Sequence, residues 1–171
     1  MMFRAIEKTA IYGLSSYNSR IKTLEINLEE LSNINYKYTL LIAEPTEMLI
    51  SELYKFLSDR GVNIVQTRNL KDTLLILQKQ RVDVLVINIS LLGQDFAFIS
   101  IIKGIEEGLQ IIVCAETNTP EFESSIRQQG IFFYHLKSFG IQDLKIAISN
   151  AIEKASKYSG GSSDVFSDQN Q

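Results

Sequence analysis

One stretch near the middle of the chain, residues 83–90 with the sequence DVLVINIS, constrains the fold more than any other. Its apolar residues are valine, leucine and isoleucine, and the run is too short for a helix of ordinary length. Such a run is typical of a strand that is buried on both faces in the middle of a parallel sheet. Functional side chains of open parallel sheets lie at the carboxyl ends of the strands, so Asn88 is a candidate site residue.

Four more strands and five helices are predicted around this central strand. The strands cover residues 38–43, 62–67, 110–115 and 131–136, and the helices cover about residues 46–60, 70–80, 95–107, 119–130 and 141–157. Thr119-Pro120 is a strong helix start, since a hydroxyl can cap free amide groups and proline suits the first helical position. Five strands that alternate with five helices predict an α/β fold, a doubly wound five-stranded parallel sheet covered on both faces.

Residues 1–37 are predicted to form an N-terminal extension. Four apolar residues recur within it at three- and four-residue intervals, which favours an amphipathic helix: Ile21, Leu24, Leu28 and Leu31. The alternation of Leu24, Ile26 and Leu28 would instead fit a strand. As a helix, this stripe either packs on its own domain or forms a two-helix dimer seam.

The rest of the chain divides into a main domain and a tail. Residues 38–158 carry the predicted strands and helices, whereas residues 159–171 are rich in small and polar side chains. Such a segment cannot bury enough apolar surface to offset the entropy of ordering it. We therefore expect residues 159–171 to form a flexible, disordered tail.

Composition and charge argue against several classes of function. The formal net charge is −3, and 17 basic residues are interspersed among 20 acidic ones, which argues against nucleic-acid binding. No stretch approaches the roughly 20 apolar residues of a membrane span, so a cytoplasmic protein is predicted. The single cysteine, Cys114, lies in an apolar run and is interpreted as a core thiol. The single histidine, His135, has no partners for a metal site, and no cofactor is expected.

Residues 38–157 resemble the receiver domain of two-component response regulators, which has a CheY-like, flavodoxin-like (βα)5 fold. The similarity rests first on residues 83–95, where an apolar strand is followed by a loop that contains a glycine. It rests second on residues 133–139, with the sequence FYHLKSF, which is similar to the family's fifth-strand signature. The resemblance implies that Lys137 is the family's site lysine and that Tyr134 is its switch aromatic.

The resemblance breaks at the phosphorylation site. Asn88 stands where the family carries its phosphoacceptor aspartate, and Glu44-Pro45 matches its pair of magnesium-binding acids. Ala115 matches the hydroxyl residue that ends the fourth strand, and Ser138 replaces the usual proline after the lysine. An amide is too weak a nucleophile to accept a phosphoryl group, and one carboxylate beside an amide would bind magnesium poorly. We therefore predict a degenerate site without phosphorylation, metal or enzymatic activity.

The surviving residues of this degenerate site are expected to have structural roles. Lys137 is predicted to pair with Glu44 or to bond Asn88, which would lock the site in one state without a signal. Tyr134 is expected to pack as a core aromatic rather than to move as a switch. His135 alternates with Tyr134 along the strand, so it is expected on the opposite face, in the core or in an interface.

A homodimer is predicted from the aromatic residues near the fifth strand. Receivers commonly pair through the face of the fourth helix, fifth strand and fifth helix, where Phe122 and the interface candidate Phe139 lie, and large apolar anchors are typical of interfaces. Either Phe132 or Phe133 must fill the core, because neighbouring strand residues point to opposite faces. The N-terminal stripe offers a second apolar surface for pairing.

Alternative functions remain open at this point. The first is a phosphorylation-independent pseudo-receiver that acts as a protein–protein interaction module, with a protein partner in a signalling pathway. The alternatives are a receiver-like domain that binds a small molecule at the carboxyl ends of the strands, and a conventional phosphorelay receiver.

Overall fold

The computed structural model describes residues 36–46, 50–57, 60–93, 96–106 and 108–159. Within them the strands are β1 (Tyr38–Ala43), β2 (Val62–Thr67), β3 (Val84–Asn88), β4 (Gln110–Ala115) and β5 (Phe133–Leu136). The helices are α1 (Ile50–Leu57), α2 (Leu70–Lys79), α3 (Ala97–Ile105), α4 (Pro120–Arg127) and α5 (Ile141–Ser159). Short 3-10 turns follow β3 and β5, at Ile89–Leu91 and Lys137–Phe139.

All neighbouring strands pair in parallel, in the order β2-β1-β3-β4-β5. The prediction of a doubly wound five-stranded parallel sheet is therefore confirmed. The direction of winding reverses between β1 and β3, which makes the crevice at their carboxyl ends the topological switch point of the sheet. Ligands and functional groups of such sheets are found at this crevice, so the fold directs attention to the residues that follow β1 and β3.

Two apolar clusters cover the two faces of the sheet. One joins the sheet to α2, α3 and α4, and the other joins it to α1 and α5. All five residues of β3 are buried, as the unbroken apolar run predicts. The alternation of β3 residues between the two clusters explains the run, because a strand with helices on both sides has no face for water.

Local caps explain where two helices begin. The Asn69 side-chain oxygen accepts a hydrogen bond from the Asp72 amide at 2.9 Å, at the start of α2. The Thr119 hydroxyl accepts one from the Phe122 amide at 3.3 Å, and Pro120 occupies the first turn of α4. The predicted start of the fourth helix is thus confirmed, since each cap satisfies an amide group that has no partner within the helix.

The fifth strand begins later than the sequence pattern predicts. β5 starts at Phe133 rather than at residue 131, and Phe132 precedes it, donating its amide to the Ile111 carbonyl at 2.7 Å. Phe132 and Phe133 both pack, partly buried, against the cluster that contains α1 and α5. The inference that these two rings point to opposite faces is wrong, because only one of the two residues belongs to the strand.

Several of the predicted features lie outside the described residues. The stripe of Ile21, Leu24, Leu28 and Leu31 is among them, as are residues 160–171 of the predicted tail. The division into an extension, a main domain and a tail stays a prediction. Among the described helices, none combines the length and the apolar character that a membrane span requires.

Candidate functional site

Four strand ends bring the predicted site residues to one edge of the sheet. Glu44 follows β1, Asn88 ends β3, Ala115 ends β4 and Lys137 follows β5. Because the strands are parallel, residues that are far apart in sequence meet at this edge. Glu44 and Asn88 lie on either side of the switch point, and their side chains are in direct contact. Pro45, which follows Glu44, is exposed to solvent.

The Asn88 side chain is buried, and hydrogen bonds occupy both of its ends. Its amide nitrogen donates to Glu44 Oε1 at 3.1 Å and to Glu44 Oε2 at 3.2 Å. Its side-chain oxygen accepts a hydrogen bond from the Ser90 amide at 2.9 Å and caps the 3-10 turn. This orientation follows from charge, since the amide nitrogen is a donor and the carboxylate accepts only.

The Glu44 carboxylate is the negative centre of the site. The residue is only 2% exposed. Apart from Asn88, Glu44 Oε1 accepts a hydrogen bond from the Thr46 hydroxyl at 3.0 Å, and Glu44 Oε2 lies 2.9 Å from Lys137 Nζ. The predicted pairing of Lys137 with Glu44 is thus present, and the buried carboxylate has a cationic partner.

Lys137 has a second carboxylate partner that the sequence analysis missed. Glu116 Oε1 lies 2.6 Å from Lys137 Nζ, so the ammonium bridges a buried acid and an exposed one. Burial lowers the pKa of Lys137, but hydrogen bonds to Glu116 and Glu44 outweigh that effect, and the pKa is raised overall. Glu116 follows directly after β4, at the same edge of the sheet as Lys137. Its position in the sequence could therefore have indicated this pairing.

Tyr134 lies in the core cluster that also contains Ala115. The residue is 4% exposed, and its hydroxyl donates to Asn118 Oδ1 at 3.2 Å. Burial, followed by the nearby Glu123 carboxylate, raises the pKa of Tyr134. Asn118 is another residue that the sequence analysis missed, because nothing in a loop asparagine predicts contact with a ring sixteen positions away.

His135 and Cys114 lie side by side in the sheet, on the face opposite Tyr134. They are register partners of β5 and β4, and both are buried. Burial raises the pKa of Cys114 to about 12, so the thiol is protonated at neutral pH. Burial also lowers the pKa of His135, with smaller effects from Asp143, which raises it, and Lys137, which lowers it. A reactive thiolate is therefore not formed, and the interpretation of Cys114 as a core thiol is confirmed.

The other candidate residues lie away from this centre. Phe139 is 71% exposed, at the 3-10 turn after β5. Two described cavities of about 500 Å³ lie elsewhere, one lined by residues 36–39, 81, 83 and 156 and one by residues 52, 55, 56, 60 and 145. Neither is lined by Glu44, Asn88 or Lys137. No cluster of three potential metal ligands occurs among the described histidine, cysteine and acidic residues.

Comparison with known proteins identifies relatives of this fold. A family model for the response regulator receiver domain matches residues 40–149. A response regulator from Thermotoga maritima has a TM-score of 0.61 at 15% identity, over 68% of this chain and 98% of that chain. An orphan response regulator of H. pylori has a TM-score of 0.61 at 22% identity, over 69% and 98%. The beryllofluoride-activated NtrC4 receiver domain dimer has a TM-score of 0.61 at 19% identity, over 68% and 98%. No curated protein sequence matches the chain.

The buried ion pair leads to a prediction about stability. Replacement of Lys137 by methionine leaves the Glu44 carboxylate buried without its cation, and we expect this to lower the free energy of unfolding by about 3–5 kcal/mol. Adding Glu44→Gln should recover part of the loss, because the second change removes the uncompensated charge. Urea denaturation measures both variants. As a control, Lys157→Met breaks an exposed pair with Glu153 and should change stability by less than about 0.5 kcal/mol. Equal effects of the two lysine substitutions would contradict the prediction.

His135 leads to a prediction about pH. Its pKa is lower in the folded protein than in the unfolded chain, so the unfolded chain binds more protons as the pH falls. Stability should therefore decrease from pH 7.5 to pH 5.5, by no more than about 1.4 kcal/mol from this group. His135→Phe keeps a flat ring but cannot bind a proton, and this variant should lose less stability over the same range. Urea titrations at several pH values give the free energy of unfolding of the wild-type chain and of the variant as a function of pH. The same pH dependence in both proteins would argue against this role of His135.

Proposed function

The chain belongs to the response regulator receiver domain family, and on that premise we propose that it is a phosphorylation-independent pseudo-receiver that acts through protein–protein interaction. The family acts in signal transduction. Among the described site residues, the observation that carries the proposal is the position of Asn88, at the end of β3 and beside the switch point. Its amide is already bonded to Glu44 at one end and to the Ser90 backbone at the other.

The chemistry of phosphoryl transfer supports this proposal. Transfer to a side chain needs an anionic nucleophile, and a cation held by several oxygens to neutralise the developing charge. An amide does not supply that nucleophile. Glu44 is in direct contact with Asn88, and its oxygens are shared among Asn88, Thr46 and Lys137. A magnesium ion would have to displace these donors and would gain one carboxylate in return.

The arrangement of Lys137 supports the same conclusion. In the described structure its ammonium is held by two carboxylates, at 2.9 Å and 2.6 Å, rather than facing an open site. An incoming phosphoryl group would compete with two ion pairs for this cation. We therefore propose that the degenerate site, consisting of Glu44, Pro45, Asn88, Ala115 and Lys137, stabilises one conformation of the domain. Tyr134 is proposed as a fixed core aromatic in that conformation.

Exposed apolar residues near β5 support a role in association. Phe139 is 71% exposed and Ile146, on α5, is 60% exposed. Large apolar side chains at a surface are typical anchors of protein interfaces. We propose that the face formed by α4, β5 and α5 contacts a protein partner of a signalling pathway or a second copy of this chain. The similar NtrC4 receiver domain is a dimer in its beryllofluoride-activated form.

Incubation with acetyl phosphate and magnesium tests the loss of phosphorylation. We expect the intact mass of the wild-type chain to remain unchanged, because Asn88 offers no carboxylate. Asn88→Asp alone should restore little labelling, since Pro45 and Ala115 remain and the new carboxylate would face Glu44. Asn150→Asp, which adds the same charge on the exposed side of α5, is the matched control. Addition of one phosphoryl group to the wild-type chain would overturn the proposal, and efficient labelling of Asn88→Asp would show that the other changes matter little.

Sedimentation of the full-length chain tests self-association. We expect a dimer at tens of micromolar, with a Kd near 10 μM, or roughly −7 kcal/mol. Phe139→Ser should weaken association by about tenfold or more, as expected for an interface anchor. Ile101→Ser alters a residue of α3 that is 55% exposed, and it should leave the dissociation constant of the dimer unchanged. Leu24→Ser with Leu28→Ser tests the N-terminal stripe in the same way. A monomer at these concentrations would exclude the homodimer and leave the partner protein as the proposed occupant.

A further inference from the structure

The loop between β4 and α4 is fastened to β5 by two side-chain contacts. Glu116 Oε1 lies 2.6 Å from Lys137 Nζ, and Asn118 Oδ1 accepts a hydrogen bond from the Tyr134 hydroxyl at 3.2 Å. The two loop residues are two positions apart, and their partners are three positions apart at the end of β5. We call these two contacts the loop clamp. The loop cannot leave β5 without breaking both.

The helix that follows the loop holds Asn118 in place. The Asn118 side-chain nitrogen donates to Glu123 Oε2, and Glu123 Oε1 forms an ion pair with Arg127 at 2.6 Å. The Arg127 guanidinium lies 5.8 Å from the centre of the Tyr134 ring, so the contacts return to the ring from which they started. Hydrogen bonds from Arg127 and Asn118 lower the pKa of Glu123, which keeps its carboxyl group ionised at neutral pH.

The other contact of the loop clamp continues into the site itself. Lys137 also pairs with the buried Glu44, which in turn bonds Asn88 at the end of β3. The loop after β4 is therefore connected through side chains to the ends of β1, β3 and β5. Ala115 ends β4 and carries only a methyl group. It therefore offers no hydroxyl that could form a hydrogen bond to a phosphoryl group.

We propose that the loop clamp holds the β4–α4 loop and the Tyr134 ring in one conformation without a phosphoryl group, and so presents the α4–β5–α5 face permanently. The inference rests on the proposed function, because a permanently held loop is useful only where no phosphorylation has to move it. Asn118 and Glu116 act as positioning residues. They fix Tyr134 and Lys137 through hydrogen bonding and charge, while burial of the ring supplies the apolar part of the contact.

Hydrogen–deuterium exchange of the full-length chain tests the loop clamp. Asn118→Ala and Tyr134→Phe each remove one side of the same hydrogen bond. We expect the amides of residues 116–119 and 121–123 to exchange about 3- to 10-fold faster in either variant, the range that follows from the net free energy of one hydrogen bond. The double variant should exchange no faster than the faster single variant, because both changes remove the same contact. Glu116→Gln should accelerate the same amides by weakening the ion pair with Lys137.

Matched controls separate the loop clamp from general destabilisation. Tyr158→Phe removes a hydroxyl from a tyrosine that is 55% exposed, and Asn150→Ala removes an exposed amide; neither should affect residues 116–123. Amides of α1 and β2 should keep wild-type exchange in the clamp variants. Unchanged exchange of residues 116–123 in both single variants, additive effects in the double variant, or equal acceleration throughout the domain would each overturn the inference.

The exchange experiment and the phosphorylation experiment can fail separately. Exchange is measured on the unmodified chain, so its outcome does not depend on whether acetyl phosphate labels the protein. Labelling of the wild-type chain together with faster exchange in the clamp variants would overturn the proposed function and leave the contacts in place. The opposite combination is a wild-type chain that is not labelled and a loop whose exchange is the same in the Asn118 and Tyr134 variants as in the wild type. This result would retain the proposed function and overturn the loop clamp.

Discussion

The buried carboxylate of Glu44 is the constraint on which the arrangement of the strand ends depends. A charge removed from water costs several kcal/mol unless groups of the protein compensate it. Glu44 obtains this compensation from the Lys137 ammonium, from the Asn88 amide and from the Thr46 hydroxyl. The three donors come from different segments of the chain. Compensation of one charge therefore ties together the ends of β1, β3 and β5.

This requirement also explains why an amide suits the end of β3. An aspartate at position 88 would place a second negative charge against Glu44, and such a pair is favourable only when a cation or a proton offsets it. The amide nitrogen of Asn88 instead donates to both carboxylate oxygens, at 3.1 Å and 3.2 Å. The amide at position 88 therefore stabilises the observed arrangement of the strand ends.

Lys137 links the charge balance of the site to the surface of the domain. Its second partner, Glu116, begins the loop that leads into α4, and Asn118 in the same loop contacts Tyr134. Charge compensation inside the sheet is therefore continuous with the loop that leads into α4.

The sequence by itself determined the elements, their order and the residue types at the strand ends. Apolar runs such as that of β3 must be buried on both faces, and strands that alternate with helices must pair in parallel, so the position of Asn88 at the functional edge followed directly. The tertiary structure alone decided which side chains meet there. Glu116, Asn118 and the late start of β5 at Phe133 depend on distances across the sheet between residues remote in sequence. Periodicity carries information about faces, whereas a hydrogen bond depends on positions within a few tenths of an ångström, which only the packed chain provides.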